Sequence, residues 1–197
     1  MSKHVDYYFS PASPWTYLGH ERFAAIAKRH GAGIAVKPVD YGVIFPQSGG
    51  LPLGKRAPQR LAYRLMELAR WKEHLGVPLN SKPKFFPVDA NPAAIAIVAA
   101  APSGVNVQMR LAGAILRALW AEEKNIADPA TLKAIAASVG LDGDKLLATA
   151  PSAKPEFDDL TQEALGRGVF GAPTYVYREE LFWGQDRLDF LDLALAK

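Results

Sequence analysis

Strand-forming segments of this 197-residue chain lie only near its two ends. Val5-Asp6-Tyr7-Tyr8-Phe9 is short and β-rich, and Ile34-Ala35-Val36-Lys37-Pro38-Val39 is a second such run. Between them Tyr17, Leu18, Phe23, Ala24, Ile26 and Ala27 recur at a helical period to about Arg29, and Gly31 and Gly33 close that helix. At the other end, Thr174-Tyr175-Val176-Tyr177 and Leu181-Phe182-Trp183-Gly184 flank the tight turn Arg178-Glu179-Glu180, a hairpin. Residues 187–196 then read as a helix, with Asp186 placed to cap it. The middle is helical. Residues 45–53, rich in Gly and Pro, read as a loop, and 58–74 as a helix with Leu61, Leu65, Leu68 and Trp71 on one stripe. Residues 78–92 are irregular, and 93–101, 107–122, 129–139, 142–150 and 156–166 read as further helices. The order is β-α-β, helices, β-β-α. Its economical solution pairs the two ends into one small sheet with helices on it, so the expected class is α/β with a large all-helical insertion. Residues 1–53 and 167–197 then form one unit and 54–166 the inserted one.

Composition excludes several kinds of chemistry. With 49% apolar residues the chain can bury a real core. It has no cysteine, which removes disulfides, thiolate metal sites, cysteine nucleophiles and dithiol exchange together. Four scattered histidines offer no metal-ligand spacing and no triad context, and no Gly-x-Ser-x-Gly elbow is present. Net charge is only +3, but Lys55, Arg56, Arg60, Arg64, Arg70 and Lys72 outweigh Glu67 and Glu73 locally. That segment reads either as a solvated helix face or as an anion site for small carboxylates. Its helical spacing, admixed acids and lack of a stacking series argue against nucleic acid. The most apolar later stretch, 93–101, is too short for a bilayer, and the first residues show no apolar signal core. The expectation is a cytoplasmic protein without membrane or nucleic-acid partners.

Three short segments carry the candidate chemistry. In Ser13-Pro14-Trp15-Thr16, Ser13 suits a helix N-cap and Pro14 the first helical position. Such a junction favours an anion, so Ser13 reads either as a plain cap or as a hydrogen-bond donor to an anion supplied by something else. In Gly171-Ala172-Pro173-Thr174, the proline stands at the mouth of a strand. It reads either as a trans turn proline or as a cis proline that opens the Ala172 backbone to an extended ligand. In Gly184-Gln185-Asp186-Arg187, Asp186 reads either as a cap or as a clamp for the ammonium of a small zwitterion. In a thioredoxin layout, which the element order permits, all three converge on one spot.

These segments resemble those of the DsbA-like, kappa-class glutathione transferase group, and most closely its 2-hydroxychromene-2-carboxylate isomerase branch. The likeness lies in Ser13-Pro14-Trp15-Thr16-Tyr17-Leu18-Gly19, in Gly168-Val169-Phe170-Gly171-Ala172-Pro173-Thr174 and in Phe182-Trp183-Gly184-Gln185-Asp186-Arg187-Leu188. The resemblance implies a thioredoxin-like fold of DsbA type with glutathione as cofactor. By the same token, Ser13 would hold the glutathione sulfur, Ala172 beside a cis Pro173 the cysteinyl backbone, and Gln185 and Asp186 the γ-glutamyl end. Arg60 stands where many members carry a lysine that contacts glutathione; the charge is kept but not the shape. Residues 45–54 depart most from the family. The implied activity is glutathione-dependent interconversion of 2-hydroxychromene-2-carboxylate and trans-o-hydroxybenzylidenepyruvate in naphthalene-type catabolism, by a homodimer. The alternatives are a transferase or peroxidase acting on another electrophile and a degenerate thioredoxin-fold binding module. The basic segment 56–64 is placed to hold the carboxylate of a small aromatic substrate.

Overall fold

A computed structural model describes residues 3–197. The chain runs β1 (His4–Phe9), α1 (Pro14–Arg29), β2 (Gly33–Pro38), α2 (Tyr41–Ser48), α3 (Pro58–Leu75), α4 (Asn91–Ala99), α5 (Val105–Trp120), α6 (Pro129–Ser138), α7 (Gly143–Thr149), α8 (Lys154–Gly166), β3 (Thr174–Tyr177), β4 (Glu180–Trp183) and α9 (Leu188–Leu195). The strands form one sheet in the order β2-β1-β3-β4. β1 is parallel to β2 and antiparallel to β3, with Tyr7 opposite Tyr175 and Tyr8 opposite Thr174. No helix among the described residues is long and apolar enough to cross a membrane.

β1 is covered on both faces toward its C-terminal end, where Tyr7, Tyr8 and Phe9 are all buried, while Asp6 earlier in the strand pairs with Lys37 at 2.9 Å and Arg167 at 3.2 Å. Val5, Tyr7 and Phe9 join a core that runs from the sheet into Leu111, Ile115 and Trp120 of α5. Tyr8 faces the other way, against Ile44 of α2 and Ala164 of α8. The Tyr7 and Tyr175 rings stack at 5.3 Å with 7° between their planes, and Phe23 of α1 packs 4.6 Å from Tyr175. His20 locks α1 in place. Its Nε2 lies 2.9 Å from the Met109 carbonyl, an acceptor only, so Nε2–H donates there. Nδ1 then accepts from Tyr7 Oη at 3.1 Å. Burial holds this histidine below its ordinary pKa and therefore neutral.

Three local expectations are corrected. Residues 45–48 are not loop: α2 runs through Phe45 to Ser48 with Pro46 inside it. Asp40 caps it by accepting the Gly42 N–H at 2.7 Å, Gly49 ends it with φ 75°, and buried Tyr41 and Ile44 anchor it. These anchors outweigh the breaker residues, in so short a helix that a proline removes little. Asp186 caps nothing. Gly184, at φ 106°, turns the chain into a 3-10 turn at Gln185–Arg187 closed by Arg187 N–H to Gly184 C=O, and α9 begins only at Leu188. The hairpin turn is two residues, not three, because Glu180 pairs with Tyr177.

That turn has φ 49° at Arg178 and 67° at Glu179. Two left-handed residues match the twist of a two-residue hairpin, but Arg and Glu adopt them under strain. Replacing the pair by Asn-Gly is expected to stabilise the fold by about 1 kcal/mol. The check is a higher urea midpoint with an unchanged denaturant slope.

Candidate active site

Ser13 is the N-cap of α1, in extended conformation at φ −82° and ψ 124°. Its N–H donates to the Ser10 carbonyl at 3.0 Å and its Oγ accepts the Thr16 N–H at 3.2 Å. With those two groups engaged, the Ser13 hydroxyl proton is left to donate into the cavity that Ser13 lines. Thr16, the other hydroxyl of the segment, is fully buried and its Oγ1 has no partner. Of the two hydroxyls three residues apart, Ser13 alone of the pair lines a cavity.

The Ala172–Pro173 bond is cis, and Pro173 leads directly into β3. Gly171 C=O accepts from Tyr41 Oη at 2.8 Å and from Thr174 Oγ1 at 2.6 Å, while Pro173 C=O accepts the Gly184 N–H at 2.8 Å. The loop is thereby held on both sides of Ala172, whose own N–H and C=O find no partner among the described residues. Gly171 must be glycine here, because a Cβ would collide with the Trp183 indole.

Gln185 is 2% exposed, and Arg22 donates to its Oε1 at 2.8 Å. Gly19 of α1 allows this approach: a Cβ there would lie 2.8 Å from Gln185 Cβ. Asp186 is exposed, with Arg187 3.4 Å away. Arg60 lies in the first turn of α3.

Two adjoining cavities collect these groups. One, of about 570 Å³, is lined by Arg60, Ala172, Gln185 and Asp186. The other, of about 500 Å³, is lined by Ser13, Ala172 and the rings of Tyr41, Phe45, Phe86 and Phe170. Trp15, Arg56, Arg60, Arg64, Ala172 and Trp183 line both. All six residues singled out from sequence stand at this place, except that Pro173 is buried behind Ala172. The wall residues Tyr41, Phe45 and Phe86 were not expected from sequence: Phe45 and Phe86 sit in segments read as loop or irregular, and 40–44 was given no element. Asp40 two residues before Gly42 was the available signal for a helix start there. Arg56, Arg60 and Arg64 form no salt bridge among the described residues. Burial and then the neighbouring Arg60 hold Arg56 below its usual pKa.

The chain matches the model of the DSBA-like thioredoxin domain over residues 4–196. It is 30% identical to a 2-hydroxychromene-2-carboxylate isomerase of Sphingobium xenophagum, over 99% of both chains. A protein of the same name from Pseudomonas putida is 29% identical over 98% of this chain and 94% of its own. A solved structure of a 2-hydroxychromene-2-carboxylate isomerase superimposes with a TM-score of 0.83 at 26% identity, covering 98% of this chain and 94% of that one.

The two hydroxyls of the N-terminal turn can be told apart by stability. Thr16→Val removes a buried hydroxyl that has no partner and is expected to stabilise the protein by about 1 kcal/mol. Ser13→Ala removes a cap and is expected to destabilise it by about 1 kcal/mol. Urea titration of the two variants checks both signs.

Proposed function

Because the chain belongs to the DSBA-like thioredoxin domain family, yet holds no cysteine, we propose that its thiol comes with glutathione and that it is a glutathione-dependent isomerase of 2-hydroxychromene-2-carboxylate. The observation that carries this reading is Ala172, whose peptide groups are left open on the wall shared with the Ser13-bearing cavity. An extended tripeptide finds there the pairing that a neighbouring strand would otherwise supply. The rest of the cavity fits the same ligand. Exposed Asp186 suits an ammonium and Arg60 a carboxylate, both on the wall of the cavity that holds Gln185. Relatives of nearly equal length bear the isomerase name.

Bound glutathione would supply a thiolate that adds reversibly to the conjugated substrate, so that a bond that had been double can rotate before elimination. The protein's own contribution is positional and electrostatic. The N-terminus of α1 presents its positive end at Ser13, and Trp15 N–H is left without a partner among the described residues. The Ser13 hydroxyl donates toward the sulfur position and favours the thiolate over the thiol. Pro14 and Trp15 line the same cavity, and its aromatic wall of Phe45, Phe86 and Phe170 would limit water around a bound substrate. In the same reading residues 1–53 and 167–197 form the thioredoxin-like unit and 54–166 the inserted one. The reading also carries with it a cytoplasmic homodimer acting in aromatic breakdown, as the family resemblance implies.

The test is a spectrophotometric assay of 2-hydroxychromene-2-carboxylate with and without glutathione, on wild type and Ser13→Ala. Conversion is expected only with glutathione. The variant should lose on the order of a hundredfold to a thousandfold in kcat, while its glutathione affinity by calorimetry changes only a few-fold. Glutathione binding without any conversion would move the assignment to a transferase acting on another electrophile.

A further inference from the structure

Arg64 is a cation that the fold has drawn partly out of water and left without an anion. It lies in α3, one turn beyond Arg60. Its guanidinium carbon sits 5.3 Å from the Phe86 ring centroid and 5.8 Å from that of Trp120. Those two rings pack 4.8 Å apart, and Trp120 is completely buried, so the platform under the guanidinium is fixed. Nη2 is buried and has no hydrogen-bond partner. The carboxylates of Glu67 and Asp186 line the same cavity, but neither forms a salt bridge with Arg64; Glu67 pairs with Arg70 at 2.5 Å. The charge Arg64 does feel is the like charge of Arg56. Burial, and then Arg56, push its pKa down to about 10.

Stacking on aromatic rings does not explain this arrangement. A cation–π contact uses the face of the guanidinium and leaves its in-plane N–H donors seeking acceptors. A buried donor with none is costly, and more so when it belongs to a charge. An incoming carboxylate would remove that penalty, and the planar fork of arginine matches a carboxylate with two parallel hydrogen bonds. The surroundings describe the rest of the ligand. Arg64 lines both cavities, and the one beside Ser13 is walled by Tyr41, Phe45, Phe86 and Phe170, with room for a flat ring system. The other two arginines fit the role less well. Arg56 spends its Nε on the Leu51 carbonyl at 2.8 Å, and Arg60 is exposed.

We infer that Arg64 is the carboxylate receptor for an aromatic carboxylate bound in the cavity beside Ser13. This deepens the isomerase reading and rests on it for the identity of the substrate. In that role Arg64 orients the conjugated system against the nucleophile and leaves Ser13 to the sulfur.

The experiment titrates the full-length protein, with and without saturating glutathione, with salicylate and with its neutral analogue salicylamide, following tryptophan fluorescence. Wild type is expected to prefer salicylate by about tenfold or more. Arg64→Met keeps an unbranched stem over Phe86; it should abolish the preference while glutathione affinity stays within about twofold. Arg64→Lys should retain part of the preference, now more sensitive to salt, and it carries the test alone if the Met variant does not fold. A preference unchanged in the variants overturns the proposal. So does an equal loss of glutathione and salicylate affinity, which would place Arg64 in the glutathione half. Failure to turn over the chromene substrate, with the salicylate preference present and dependent on Arg64, would sink the isomerase reading and leave the receptor standing.

Discussion

The antiparallel pairing of β1 with β3 is the contact on which everything else in this molecule depends. β1 already has β2 as its parallel neighbour, so its free edge accepts a strand from the far end of the chain. Setting Tyr8 opposite Thr174 brings the turn after Phe9 alongside the loop before β3. Ser13 and Ala172 are neighbours for that reason alone. The Tyr7–Tyr175 stack and the Phe23 ring fix the pairing laterally, and His20 seats α1 so that its N-terminus points past the end of the sheet.

What this pairing assembles is a surface rich in donors. The Ser13 hydroxyl, the Ala172 N–H, the end of α1 and the arginines of segment 56–64 all offer protons or positive charge, and they outnumber the carboxylates of Glu67 and Asp186 on the same wall. A protein surface normally balances the two, because unmatched buried donors are penalised. The imbalance is concentrated where the two cavities meet, at Arg56, Arg60 and Arg64, and it is the basis for proposing an anionic ligand there.

Much of this was legible in the chain itself. The strand signals at both ends specified the sheet, since a β-rich run covered on both faces leaves few other solutions. Ser13-Pro14 announced a helix start through cap chemistry that acts within four residues. The candidate segments 171–174 and 184–187, which the structure places at the cavities, stood out because their residue types make demands of their own. Legibility failed where tertiary contact overrode local preference. The segment around Pro46 looks like a breaker, and only the burial of Tyr41 and Ile44 makes it a helix. Asp186 looks like a cap, but the left-handed Gly184 before it redirects the chain into a backbone-closed turn. The special standing of Arg64 among its neighbours was invisible for a similar reason. Nothing in the spacing of the basic residues says which of them Phe86 and Trp120 will shelter, and those rings lie on other elements.

The bond from Arg22 to Gln185 joins residues 163 apart in sequence. It ties the first helix to the turn that follows the C-terminal hairpin. Both ends of the chain contribute to the cavity wall, Ser13 and Trp15 from one and Ala172 and Gln185 from the other, so that wall is complete only after a long-range closure. A ligand that needs both parts of this wall would bind the native state and not the unfolded chain, and its binding free energy would then add to stability. Occupancy of these cavities would then be a gauge of global folding, sensitive to a lesion anywhere that loosens the central strand pair.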